Sequence, residues 1–199
     1  LNDAAVGLGP MRGDFGDGCG AVALEPGIRF GACRYPARQN DLEGARSVRR
    51  IKAFPRAHPQ AAMLVGMSSD RWFAPQDERP GTARPRRGSN HWYEAYNAAL
   101  WMPAQGVIES YHKSKLVAGV ELMPFEEVLG PLSEFALDLG GTTGSLGQQE
   151  ERSVLRDASS GLAVVPAICY ESVFGEHIAA HVRNGGKLIA VMTNDGWWG

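Results

Sequence analysis

Residues 161–192 read "GLAVVPAICYESVFGEHIAAHVRNGGKLIAVM", and this stretch decides the fold class. The run before Cys169 is continuously apolar, as in strands that are buried on both faces. Phe174, Ile178 and Val182 then follow at helical spacing, glycines stand where a helix ends, and a second apolar run closes the stretch. Strand, helix and strand in this order predict a βαβ unit and an α/β fold.

Cys169, at the junction of the first strand and the helix, has two interpretations. Free cysteine is among the most buried residue types, so an isolated cysteine after an apolar run favours a packing role. The carboxyl ends of parallel strands are also where site residues gather, and a thiol beside a basic group there acts as a nucleophile. Other segments of the chain decide between the two.

The composition limits the function classes. The chain has 199 residues, a length that fits one domain. Its 44% hydrophobic and 21% charged residues and its net charge of -2 lack the basic excess of a nucleic-acid-binding protein. The three cysteines form no CxxC pair and no histidine cluster accompanies them, so we predict neither a metal nor another cofactor. Every apolar run is shorter than the roughly 20 residues that span a bilayer.

Three elements are predicted upstream of the βαβ unit. A helix is predicted from Asp41, as N-cap, through Ile51, because apolar residues recur every third position. Residues 61–67 form a buried strand in this interpretation. Residues 96–102 and 106–116 flank "PAQG", a turn signal, and predict a hairpin whose second strand ends near the first of two lysines.

Two segments are predicted to be irregular. Residues 68–90 carry five arginines, and we interpret these charges as solvated, with an anion site as the alternative. The first 39 residues are rich in Gly, Arg and Pro and hold neither a strand nor a helix period. We therefore predict an irregular or diverged N-terminal segment over 1–39 and a partial domain over 40–199.

Three short stretches carry a resemblance to a known family: "YHKSKLVAGVELMPF" (111–125), "ICYES" (168–172) and "TNDGWWG" (193–199). Together they resemble the carbon-nitrogen hydrolase, or nitrilase, superfamily, whose triad is Glu, Lys and Cys. The run "CYESVF" followed by "TNDGWWG" is similar to the form in the membrane branch of that superfamily, the apolipoprotein N-acyltransferases. The resemblance covers roughly residues 41–199 and implies an α/β fold, a nitrilase-type α-β-β-α sandwich, truncated in this chain.

By this resemblance Cys169 is the nucleophile, Lys113 the triad lysine and Glu121 a supporting glutamate. An ammonium beside a thiol favours the thiolate, and it also neutralises the oxyanion that forms on a substrate carbonyl. A carboxylate beside the lysine holds it by a charge-assisted hydrogen bond. Spacing alone does not separate Lys113 from Lys115, because residues two apart share one face of a strand. Only the motif selects Lys113.

The same resemblance implies a substrate pocket and a general base. The residues that match the pocket are Tyr170, Glu171, Asn194 and Trp197. A packing role is the alternative for the aromatic ones, because aromatic side chains more often fill cores than bind ligands. The family's base is a glutamate in a Pro-Glu context at a strand end, upstream of the predicted helix. No Pro-Glu occurs in the chain, and Glu25 in "AVALEPG" is the nearest candidate.

The activity implied by the resemblance is N-acyl transfer. A phospholipid donates an acyl chain to the cysteine, and the resulting thioester passes it to the N-terminal amine of a diacylglyceryl lipoprotein. The implied location is the inner membrane, with the catalytic domain facing the periplasm and the membrane segments outside this chain. A soluble amidase or nitrilase with water as acceptor is one alternative, and a catalytically dead domain is another. We also expect the chain to be a fragment that is inactive alone, because it offers no well-placed base and lacks membrane docking.

Overall fold

The computed structural model describes residues 13–14, 19–24, 28–118, 121–122 and 145–193. In this part of the chain one sheet holds seven strands, β1 (Gly13–Asp14), β2 (Cys19–Leu24), β3 (Ile28–Arg38), β4 (Ala62–Phe73), β5 (Arg84–Pro85), β6 (Trp92–Met102) and β7 (Glu109–His112). A second sheet holds β8 (Leu155–Arg156), β9 (Ala163–Ile168) and β10 (Leu188–Met192). The helices described are α1 (Arg46–Ala57) and α2 (Gly175–Arg183).

The first sheet has the order β1-β2-β3-β4-β6-β5, with β7 beside β6. Strands β3 and β4 are parallel, whereas β4 and β6 are antiparallel along their whole length. The predicted hairpin is confirmed: β6 and β7 pair in antiparallel fashion, with Ala98 opposite His112. Because β7 ends at His112, the next residue, Lys113, leaves the sheet at the middle of β6.

Strands β4 and β6 are buried on both faces, and alternate residues enter two different cores. Met63 and Val65 join the core beneath α1, to which that helix contributes Val48 and Ile51. Leu64, on the opposite face of β4, enters the core between the two sheets. The alternation follows from the period of two along a strand.

The second sheet contains the predicted βαβ unit, which is confirmed. Strand β10 pairs with β9 in parallel, and α2 connects them. Val164 faces the core between the sheets, while Val165, on the other face of β9, lies beside Gly186 at the end of α2. The layers are therefore α1, first sheet, second sheet and α2, which confirms the predicted α-β-β-α sandwich.

The structure corrects several boundaries. The first helix begins at Arg46 rather than after Asp41, because Asp41 ends a 3₁₀ turn and its carboxylate accepts from the backbone N–H of Gly44 (2.9 Å). Strand β4 continues to Phe73, so the predicted loop 68–90 begins six residues later. Part of segment 1–39 forms β1, β2 and β3, although it lacks periodicity; the domain boundary at residue 39 stays a prediction.

The predicted stripe of α2 is wrong. Val182 is 47% exposed and Phe174 is 36% exposed, whereas His177 and His181 are the residues that the helix buries. These histidines face polar groups of the neighbouring strand and turn, so hydrophobicity alone does not identify the inner face. Among the described residues, neither α1 nor α2 has the length and apolarity needed to cross a bilayer.

Candidate active site

Cys169 lies at the carboxyl end of β9, where the chain leaves the strand and enters a short 3₁₀ helix, Cys169–Val173. The residue is exposed, with its thiol unpaired. Its φ is +52°, in the left-handed region that residues other than glycine seldom adopt. Such strained residues persist where surrounding contacts hold them, and they cluster at functional sites.

Lys113 and Glu121 form a buried ion pair. The Lys113 side chain is 1% exposed, and its ammonium donates to both carboxylate oxygens of Glu121, at 2.8 and 2.7 Å. Glu121 also accepts hydrogen bonds from the side-chain amide of Asn97 and from the backbone N–H of Val117. A buried ion pair is stable only when its remaining lone pairs are satisfied, and these two donors do so for the carboxylate. The lysine is thereby held in one place.

Glu171 joins the segment that follows β7 and carries Lys113 (residues 113–117, the lysine segment) to the 3₁₀ turn Cys169–Val173 (the cysteine turn). Its carboxylate is completely buried, and one oxygen accepts from the backbone N–H groups of Ser114 (2.7 Å) and Lys115 (3.1 Å). The other oxygen accepts from the backbone N–H of Ile168 (2.9 Å). The donors thus come from the residues that adjoin the lysine and from the residue before the cysteine. One carboxylate therefore ties the two segments of the site together, although they belong to different sheets.

Side chains from β7 and α2 surround the Glu171 carboxylate. The Tyr111 hydroxyl donates to it (2.8 Å), and Nε2 of His177 lies 3.3 Å from the same oxygen. The His181 ring meets Tyr111 edge-on, with ring centroids 5.5 Å apart, and its Nδ1 donates to the carbonyl of Ser153 (2.8 Å). Burial lowers the pKa of both histidines, which favours neutral rings at pH 7.

The structure separates the two lysines that spacing left equal. Lys113 is buried in the ion pair, whereas Lys115 is exposed. Tyr170 is 45% exposed and meets the Phe174 ring edge-on, so it lies at the surface beside the thiol. Three predicted site residues lie outside the described ranges, Glu25, Asn194 and Trp197.

The predicted substrate contact of Glu171 stays a prediction. In the structure its carboxylate is fully buried and bound by protein donors. The geometry points to a positioning role. Sequence reasoning missed Asn97, Tyr111 and His177; the spacing of four between His177 and His181 on one helix face is the signal that indicates a buried polar cluster.

The arrangement combines an exposed thiol with a fixed cation from the neighbouring sheet. A thiol at a strand end can attack a substrate carbonyl, and a fixed cation can stabilise the oxyanion that results. Within the described ranges no three His, Cys, Asp or Glu side chains are arranged to hold a metal ion.

A family model described as carbon-nitrogen hydrolase matches residues 32–199. The chain therefore belongs to the carbon-nitrogen hydrolase family, the class that its fold and site define. The residues matched include the last seven residues of β3, the lysine segment and the cysteine turn.

Proteins similar to this chain in sequence include apolipoprotein N-acyltransferases. The enzyme of Chlorobaculum tepidum is 32% identical over 143 residues, which cover 65% of this chain and 27% of that protein. The enzyme of Chlamydia muridarum is 30% identical over 144 residues, which cover 70% of this chain and 22% of that protein. The predicted resemblance is thus confirmed. The chain spans about a quarter of the length of these relatives.

Proposed function

We propose that the protein is an N-acyltransferase in which Cys169 carries the acyl group as a thioester. The observation that carries the proposal is the buried Lys113–Glu121 pair, which Glu171 ties to the cysteine turn. A buried lysine and a strained, exposed cysteine are each costly to fold, and catalysis is the role that accounts for both features. The names of the relatives support acyl transfer as the reaction.

The reaction has two halves. In the first, the Cys169 sulfur attacks the acyl ester carbonyl of a phospholipid; the C–S bond forms, the C–O bond breaks, and the proton that the thiol loses passes to the departing alkoxide. In the second, the N-terminal amine of a diacylglyceryl lipoprotein attacks the thioester; the C–N bond forms and the C–S bond breaks. The proton from the amine then leaves the nitrogen, and the thiol is regenerated. Lys113 neutralises the oxyanion of each tetrahedral intermediate, and Glu121 holds the lysine.

The remaining assignments are part of the same proposal. The general base is left unassigned, because Glu25, the nearest candidate, lacks the Pro-Glu context of the family; Tyr170, Asn194 and Trp197 are proposed to line the substrate pocket. The proposed location is the inner membrane, because both proposed substrates are lipids, and the periplasmic side is the one that the family resemblance implies.

The test is to map the covalent intermediate. Incubate a longer protein that contains this chain with phospholipid alone, and locate the acyl group by peptide mass spectrometry. We expect the mass of one acyl chain on Cys169 and none after the Cys169→Ala substitution. Lys113→Met should abolish labelling, whereas Lys115→Met is the matched control and should keep it. Acylation of another cysteine, or equal loss in both lysine variants, would contradict the proposal.

The family match favours a second candidate, a hydrolase that breaks C–N bonds with water as the acceptor. The exposure of Cys169 agrees with water reaching the thioester. Product analysis separates the two: a lipopeptide amine added to the thioester becomes acylated by a transferase, whereas free acid accumulates with a hydrolase. A catalytically dead domain forms no thioester at all.

The expected inactivity of the 199-residue chain by itself is also part of the proposal. Loss of a general base costs about 10²- to 10⁴-fold in rate. The isolated chain and the longer protein should be assayed side by side with phospholipid and a diacylated lipopeptide in detergent. Equal turnover by the two would show that a residue of this chain supplies the base.

A further inference from the structure

A cleft of about 730 Å³ opens where β4 ends and β6 begins, apart from the cysteine and lysine segments. Its lining is basic and aromatic, with the side chains Asp70, Trp72, Arg84, Arg86, Arg87 and Tyr93. We propose that this cleft binds the phosphate groups of anionic phospholipids and so docks the domain on a membrane surface. The choice of lipid over other anions rests on the proposed function.

One arginine that lines the cleft, Arg86, is stacked on an aromatic ring, so the loop is not merely solvated. The guanidinium carbons of Arg38 and Arg86 lie 3.7 and 4.0 Å from the centroid of the Trp72 ring, which also lines the cleft. Outside the lining, Arg79 covers Trp92 in the same way, at 4.2 Å. Stacking holds the guanidinium planes in place while their N–H donors face outward.

The charge of the cleft favours an anionic ligand. Three arginines line it against one carboxylate, Asp70, which already accepts a hydrogen bond from the indole N–H of Trp72 (2.8 Å). Arg86 and Arg87 are exposed, so their guanidinium groups are accessible to an anion in solution. One planar guanidinium group can donate two parallel hydrogen bonds to two oxygens of the same phosphate.

The cleft lies on the same side of the first sheet as the lysine. The backbone N–H of Lys113 binds the carbonyl of Asn97, and Tyr93 lies four residues nearer the start of β6. At about 3.4 Å per residue, the cleft is roughly 14 Å farther out along the strand. Indole and phenol rings beside arginines are also typical of surfaces at the lipid headgroup level.

The test measures binding to membranes without any acyl transfer. Sediment the protein with phosphatidylglycerol vesicles and, separately, with phosphatidylcholine vesicles. We expect binding to the first only, and the double substitution Arg86→Ala with Arg87→Ala should weaken it about 10- to 30-fold, the loss typical of two basic side chains at an anionic surface. The double substitution Arg46→Ala with Arg49→Ala removes the same charge from α1 and should have little effect.

The outcomes are distinct. Equal weakening by the two double variants would mean that total charge alone drives binding, and it would overturn the proposal, as would absence of binding to phosphatidylglycerol. Release of the protein by inorganic phosphate at low millimolar concentration, in a comparison at constant ionic strength, would assign the cleft to free phosphate instead. Failure of the acyltransferase proposal would appear separately, as absence of the thioester on Cys169 in a protein that still binds vesicles.

Discussion

Replacement of Glu171 by glutamine tests whether one carboxylate organises the site. Glutamine keeps the shape of the side chain and one acceptor oxygen. Its amide nitrogen must then face either the backbone N–H of Ile168 or the donors of Ser114, Lys115 and Tyr111. The first orientation loses fewer hydrogen bonds and is therefore the one we expect.

The magnitude follows from these contacts. One buried backbone N–H loses its acceptor, which costs about 1–3 kcal/mol, and the three remaining hydrogen bonds change from charged to neutral acceptors, each a loss of up to about 1 kcal/mol. A neutral side chain is cheaper to bury than a carboxylate, which offsets part of the loss. We expect Glu171→Gln to lower the free energy of unfolding by about 2–4 kcal/mol. Because the cysteine turn loses its anchor, the rate of alkylation at Cys169 should change as well.

The assay is urea unfolding followed by tryptophan fluorescence, with iodoacetamide labelling of Cys169 quantified on its own peptide. Glu176→Gln is the matched control, because the Glu176 side chain is 94% exposed and its contact with Arg183 is a long 3.6 Å. That control should change the free energy of unfolding by less than about 0.5 kcal/mol. If Glu171→Gln behaves like the control in both measurements, the positioning role is wrong.

Two further predictions follow from the buried charges. Lys113→Met leaves Glu121 buried without its cation, so urea unfolding should show a free energy of unfolding lower by about 3–5 kcal/mol. Lys115→Met at the surface should lower it by less than about 0.5 kcal/mol. Similar losses in the two variants would refute the assigned burial. Burial lowers the pKa of His177 and His181 below the value of 6.5 that we expect in the unfolded chain. The unfolded state therefore binds more protons, and the free energy of unfolding falls as the pH drops from about 7 through 6.5 to the lower pKa values of the folded state. The double variant His177→Gln with His181→Asn should flatten this part of the Tm-against-pH curve, and an unchanged slope would place the titrating groups elsewhere.

The parts of the fold that the sequence predicted well are those where local pattern and tertiary packing agree. The apolar runs before Cys169 and around Val65 became buried strands, and the turn "PAQG" became the turn of a hairpin. Asp41 misled the prediction of the helix start, because an aspartate caps a tight turn as well as a helix, and only the tertiary position of the segment decides.

The site was predictable only in part, for a different reason. The motif selected Lys113 over Lys115, although their spacing was uninformative, and burial separates them in the same way. The role of Glu171 depends on donors about 57 residues away in the chain, and the inner face of α2 depends on Tyr111 in another sheet. Such partners come together only in the folded chain, so no local pattern of hydrophobicity reveals them.

The two-sided burial of β4 and β6 has a consequence for how the protein folds. In most sheets a slip of one residue moves apolar side chains into water, and this penalty enforces the pairing. Here a slip would exchange Ala62 and Leu64 for Met63 and Val65, so both faces would remain apolar and only the fit of side-chain volumes would suffer. The connection between β4 and β6, residues 74–91, must therefore fix the pairing before the cores close. A β4–β6 pair that forms with its register shifted by one residue would bury nearly as much apolar surface as the native pair. It would be slow to rearrange and prone to aggregate.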